Sequence, residues 1–248
     1  MNASSSLSPG TTATAPAQPA RTRRVVDAPT RMFHWLFALS FVGAYLTADG
    51  ERWRAMHVTL GYTLAGLLVF RLLYGLFGPR QAGLAVLWRK VTGAPAWLRS
   101  VLQSPTQAPW RQSQNLLMAL AVVLLLLLVL PLTLSGYATY NEWGGDWLEE
   151  VHEFFGNTFG LVVLAHVALI AGLSLVRRKN QALPMLTGRI EGAGPDLVKN
   201  NRAWLAGLLL VAVLAFAAWE WQASPQGLVP TSAWAGGGSG QGHDDDDD

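Results

Sequence analysis

Apolar residues gather into five long runs, and polar residues punctuate them. The runs fall at about 32–48, 57–77, 115–136, 152–176 and 203–221. Each has roughly 17 to 25 residues, enough for a helix to cross a hydrocarbon core of about 30 Å. Lipid offers the backbone no hydrogen bonds, so each run is expected to be helical. Pro131 is expected to bend the third run near its end. Residues 78–114 carry Pro79, Pro95, Trp88, Trp97 and Trp110 and are too polar to span. Part of that segment is expected to lie on the membrane surface.

These elements predict an all-α integral membrane protein: a four-helix transmembrane bundle plus a fifth transmembrane helix. The expected divisions are a disordered leader at 1–24 and a membrane domain at 25–180 that includes the 78–114 segment. A connector at 181–202, the fifth helix at 203–221 and a flexible acidic tail at 222–248 follow. The first twenty residues are rich in Ser, Thr, Ala and Pro and lack the charged start and apolar run of a signal peptide.

Charge orients the spans. The leader and the 78–114 and 177–202 segments fall on one side. They hold fifteen basic residues, among them Arg21, Arg23, Arg24, Arg31, Arg89, Lys90, Arg177, Arg178 and Lys179. The other side has only Arg52 and Arg54. The positive-inside rule puts the first side in the cytoplasm of a bacterial inner membrane, with the N-terminus inside and the tail in the periplasm. Acids run the opposite way: Asp49, Glu51, Glu142, Asp146, Glu149, Glu150, Glu153 and the Asp244–Asp248 tail face out. No cysteine is present, which excludes disulfides, zinc–thiolate sites and cysteine-held iron–sulfur clusters. Many of the eleven tryptophans flank the apolar runs, as interface anchors do.

Histidine placement adds candidate chemistry. Apart from His243 in the tail, there are His34 in the first run, His57 opening the second, and His152 and His166 in the fourth. The fourteen residues from His152 to His166 rise about 21 Å and complete nearly four turns, so both share one helix face. His34 lies fifteen residues before Asp49, and His166 sixteen after Glu150, so their depths match. His57 and His152 both sit near the outer surface. Four histidines thus form two level pairs, His34 with His166 and His57 with His152.

Paired imidazoles on facing helices suit a haem iron held for electron transfer, since no coordination position is left for substrate. The plainer reading is that each histidine is a helix–helix hydrogen-bond partner or part of a proton path. Gly61 and Gly156 each follow a histidine by four residues, on its own face, where a flat macrocycle could lie against bare backbone. Gly160, Gly43 and Gly66 offer the same opening; close helix packing is the alternative for all five. Arg71 shares the depth of the inner pair and suits a haem propionate, with snorkelling past Gly75 and Gly78 as its alternative. Arg31 and Arg54 each lie one turn before a histidine and are candidates for the same role.

Three stretches, RMFHW (31–35), MHVTLGYTLAGLLVFRLLYG (56–75) and VHEFFGNTFGLVVLAHV (151–167), carry a resemblance. The chain resembles the bacterial cytochrome b561 family, which includes the b-type cytochrome subunits of nickel–iron hydrogenases. That resemblance implies a four-helix bundle holding two b haems. His34 and His166 would ligate the cytoplasmic-side haem iron, and His57 and His152 the outer one. A fifth span, the long 78–114 segment and the acidic tail depart from the family pattern and leave the partner open.

Two haems at different depths make a wire across the bilayer. The resemblance implies that one end exchanges electrons with a quinone and the other with a periplasmic redox protein, for which the outer acids favour a basic cytochrome c. Gln114 and Asn115 on one side, and Tyr137, Tyr140, Asn141, Glu142 and Trp143 on the other, are candidate quinone-slot residues; capping and an interface belt are their alternatives. Other functions fit the same residues. One is a membrane anchor passing electrons from a periplasmic dehydrogenase or hydrogenase to quinone. Another is a terminal reductase of ferric iron or superoxide, and a third is a haem-free transporter. No nucleophile constellation or phosphate-binding loop is evident, and the basic residues fit topology better than nucleic-acid binding.

Overall fold

The computed structural model describes residues 21–103 and 110–224. Among these, the chain forms eight α-helices and one two-stranded ribbon: β1 (Thr22–Arg24), α1 (Ala28–Leu46), α2 (Arg54–Phe77), α3 (Leu84–Thr92), α4 (Ala94–Gln103), α5 (Trp110–Tyr140), α6 (Trp147–Arg177), α7 (Leu183–Thr187), β2 (Arg189–Glu191) and α8 (Ala203–Ala223). The leader up to residue 20, residues 104–109 and the tail from 225, with His243 and the terminal aspartates, lie outside the described residues.

All five apolar runs are helices. Four of the described helical stretches are long and apolar enough to cross a membrane: Glu51–Phe77, Gln114–Tyr140, Trp147–Arg177 and Ala203–Ala223. The first run is a helix too, but α1 does not reach the same apolarity, because Arg31 and His34 sit within its nineteen residues. It is long enough to cover about 28 Å. Its polar positions turn inward: Ser40 is buried beside Phe41 and Ala44. The third run extends further than its hydropathy suggests. α5 continues through Pro131 to Tyr140.

Two antiparallel hairpins, α1–α2 and α5–α6, pack together. Their shared core is Phe41, Leu64, Leu68, Val129, Leu132 and Phe159. Phe159 is 1% exposed and packs against Phe41 with ring centroids 4.5 Å apart and the rings tilted at 51°. In lipid such a cluster is held by van der Waals packing, because apolar side chains gain little by leaving apolar solvent. The outward faces are covered with large apolar side chains, including Leu39, Leu72, Leu127, Leu164 and Leu214. Exposure on that scale suits an environment of acyl chains. α8 packs mainly on α1 and touches α2.

The basic end of the bundle is an ordered cap. β1 pairs antiparallel with β2, Arg23 opposite Ile190. The strand takes residues 22–24 out of the leader expected to be disordered, because the connector supplies them with a partner. Arg24 N–H also donates to Asp196 Oδ1 (2.6 Å), and its carbonyl accepts from Leu197 N–H (2.9 Å). Gly188 closes α7 with φ +78°, and a Cβ there would lie 2.7 Å from the Val26 carbonyl oxygen. Only glycine meets both demands at low cost. Residues 78–103 do not cross the bundle; they form α3 and α4, with α3 against α5 and α2.

Candidate functional site

The structure brings His57 and His152 together near the acidic end. Their ring centroids are 5.9 Å apart and the rings stand at 89°. Each hairpin aims one of them. His57 Nδ1–H donates to the Ala44 carbonyl across the α1–α2 hairpin (2.8 Å). His152 Nδ1–H donates to the Leu132 carbonyl across the α5–α6 hairpin (3.1 Å), with Ser135 Oγ at 3.4 Å. A carbonyl can only accept, so Nδ1 of each ring carries a proton, and the neutral form of each presents Nε2 as an acceptor. Metal-binding imidazoles are commonly oriented by such a bond on the far nitrogen.

His34 and His166 meet at the other level, close enough for their charges to act on each other. Both rings are part-buried, and the Nδ1 atom of each is buried without a hydrogen-bond partner among the described residues. His34 stands edge-on to Trp35, whose indole N–H donates to the Met185 carbonyl (3.0 Å). Between the two pairs lies the aromatic core. Phe159 is seven residues from each histidine of α6, about 10 Å along the axis. Phe37 and Phe41 of α1 pack against it, at 6.2 and 4.5 Å.

The glycines divide. A Cβ at Gly61 or Gly66 would meet no atom of the described residues within 4 Å, and one at Gly156 only Leu132, at 3.8 Å. A Cβ at Gly43 would press on Leu60 at 2.8 Å, and one at Gly160 would touch Tyr45 at 3.4 Å, so these two serve helix packing. The closest approach to a histidine is Gly136, absent from the sequence reading. A Cβ there would lie 2.7 Å from His152 Cε1. Its only signal was a Ser-Gly pair near the end of an apolar run.

All three arginines have protein partners. Arg71 donates to the Ala82 carbonyl (3.0 Å), reaching over Gly75 toward the basic end. Arg31 donates to the Leu186 carbonyl (2.9 Å) and braces α7. Arg54 pairs with Glu51 at 3.0 Å on the surface. Gln114 accepts from Arg177 (2.6 Å), joining α5 to the end of α6, while Asn115 is exposed. Tyr137 stacks edge-on with Trp143 (5.1 Å) and with Tyr62 (6.2 Å). Asn141 caps its own helix by donating to the Tyr137 carbonyl (2.8 Å).

Sequence reading also missed Asp27. It is 2% exposed, caps α1 by accepting from Thr30 N–H (3.1 Å), and accepts from the Tyr74 hydroxyl (2.5 Å). The pattern Asp-Ala-Pro-Thr ahead of an apolar run was the available signal.

The histidine pairs fit a haem iron. Imidazole–metal bonds of about 2.0 Å put the centroids of two rings sharing one metal roughly 6.3 Å apart, close to the 5.9 Å found for His57 and His152. No group of three or more His, Cys, Asp or Glu able to hold a metal occurs among the described residues. Two protein ligands suffice where a macrocycle fills the other positions.

A family profile described as prokaryotic cytochrome b561 matches residues 25–188. No curated protein and no solved structure matches the chain. The match begins just past β1 and ends at Gly188, so it takes in both hairpins and all four histidines and leaves α8 outside. It spans well over half of the sequence, and the chain belongs to the prokaryotic cytochrome b561 family.

Proposed function

We propose that this b-type membrane cytochrome holds two haems and passes electrons across the inner membrane, between the quinone pool and a basic redox protein in the periplasm. Integral membrane placement, haem b and electron transfer follow from the family and the apolar helices. The finer reading rests on one observation: two histidine pairs at two levels, separated by the Phe37–Phe41–Phe159 core. In this reading His57 and His152 hold the outer haem, and His34 and His166 the cytoplasmic-side haem. Each haem, when bound, supplies a one-electron carrier.

The chain's own residues set the geometry. The Ala44 and Leu132 carbonyls fix the outer imidazoles, so their Nε2 atoms point the same way whether or not electrons are in transit. Gly61 and Gly156 leave bare backbone beside those rings. The basic residues of the ribbon, α3 and α7 end mark the cytoplasmic side. At the other end, seven acids from Asp49 to Glu153 are exposed, a field that draws a cationic partner.

Purified protein should show two b haems per chain in a reduced-minus-oxidised spectrum with a haem-to-protein ratio. His57→Ala and His34→Ala should each remove or alter a different one. One haem or none in the intact protein would sink the two-site reading.

A further inference from the structure

Two clefts flank the line where α8 passes α2. One, of about 510 Å³, is bordered by Ser40, Met56, Thr59, Trp221 and Gln222. The other, of about 520 Å³, lies between Tyr62, Gly66 and Leu67 of α2 and Phe216, Trp219 and Glu220 of α8. Both volumes are in the range of small-molecule sites. The second differs in where its polar groups lie.

Glu220 is the only charged residue of α8. It is half-buried and makes no ion pair among the described residues. An ionisable group in a spanning helix is costly and marks traffic of protons, ions or ligands. Helical side chains lean toward their own N-terminus. α2 starts at the acidic end and α8 at the basic end, so Tyr62 leans outward and Glu220 inward. The two converge: the Glu220 charge acts on the Tyr62 hydroxyl, which also faces the Asn141 side chain. Apart from Thr63, whose hydroxyl donates to the Thr59 carbonyl, the remaining walls are apolar, with the flat rings of Phe216 and Trp219 on one side. Opposite them, Gly66 leaves the floor open.

We infer that this cleft seats the ring of a lipid-soluble quinol and that Glu220 accepts its protons. The inference rests on the proposed electron wire and gives it a loading site built partly from the helix outside the family match. The shape asks for a flat head with a hydroxyl and a long apolar tail. A phospholipid offers the tail, but its phosphate would face the Glu220 carboxylate. Quinol oxidation breaks two O–H bonds and releases two protons and two electrons. The carboxylate takes the protons in turn and passes each to water at the acidic end, three residues along α8. The electrons would leave singly to the proposed wire, whose haem iron would be the one-electron oxidant.

The test uses the full chain in phosphatidylcholine liposomes and a photoreactive azidoquinone with a short isoprenoid tail. Label should appear on residues 62–67 or 209–220 and be displaced by excess parent quinone, not by phosphatidylglycerol. Trp219→Ala, on the helix outside the family match, should cut labelling at least tenfold while the haem spectrum stays; Phe216→Ala serves if that variant loses haem. Glu220→Gln should keep labelling and KM but slow quinol-driven haem reduction about 100-fold, the scale of a lost general base. Displacement by phosphatidylglycerol would make the cleft a lipid seat and overturn the proposal. Label near Gln114 instead would overturn this site and leave the wire standing. No displaceable label in a protein with both haems would overturn the quinone half of the wire, and this site with it.

Discussion

His57 and His152 owe their aim to two backbone carbonyls and one absent side chain. The Ala44 and Leu132 carbonyls hold the Nδ1 atoms, and Gly136 lets the His152 ring lie against α5. Gly136→Leu puts carbon atoms where that ring now sits, so the imidazole must move. The expected result is loss or a spectral shift of one haem with the other unchanged, read from difference spectra and the haem-to-protein ratio. An unaltered spectrum would deny Gly136 any part in the site. The histidines themselves were legible in the sequence, because an imidazole in an apolar run has few reasons to be there. Gly136 was not, because its role is defined by a residue on the next helix. The arginines teach the same lesson. Arg71 could be placed at a depth from sequence, but its partner, the Ala82 carbonyl, comes from a segment whose path no spacing gives.

At the scale of elements, α1 is the one of the five long helices that is not apolar enough to count as a membrane span, and its place in the fold compensates. It lies against α2 and α8, and its N-terminus is held by Asp27. That carboxylate joins three elements: it caps α1, accepts from Tyr74 at the end of α2, and lies near Arg202 at the start of α8, whose side chain faces the same Tyr74 hydroxyl. Ala28 N–H adds a bond to the Asn201 carbonyl (3.1 Å). Asp27→Ala loses the cap and leaves the buried Tyr74 hydroxyl without its acceptor, costing about 2–4 kcal/mol. Thermal unfolding in detergent should show that loss, and Asp27→Asn, which can still cap and accept, should recover a good part of it. Equal stability of all three proteins would mean that the cluster is incidental. The helices were legible from hydropathy because lipid leaves the backbone no other choice. The strand at Thr22–Arg24 was not, because three residues become a strand only when Arg189–Glu191 is brought beside them.

Across the whole molecule, charge is sorted by end. The ribbon ties the basic leader to the basic connector, so both occupy one end of the bundle, as the charge count requires. At the other end the exposed acids include Glu149, Glu150 and Glu153 on the first turns of α6, where the helix dipole also favours negative charge. If these acids steer a cationic cytochrome c, electron transfer to it should slow steeply with ionic strength. Reversing Glu149 and Glu150 to lysine should lower the association rate about tenfold at low salt and flatten that dependence. Stopped-flow mixing of reduced protein with cytochrome c at several salt concentrations would show it. A rate insensitive to both salt and charge reversal would remove the acidic end from partner recognition.

Sequence alone determined the helices and the two levels of histidine. Those are properties of one chain direction and one helical repeat, and a bilayer makes each of them obligatory. Tertiary structure decided what touches what. It set His57 against His152 and Gly136 under the ring, gave each arginine its partner, and buried Asp27 where α1, α2 and α8 meet. It also placed Glu220 of the fifth helix opposite Tyr62 of the second. Such pairings depend on how far one helix slides and turns against another, and that is fixed by the packing of whole faces rather than by any local spacing.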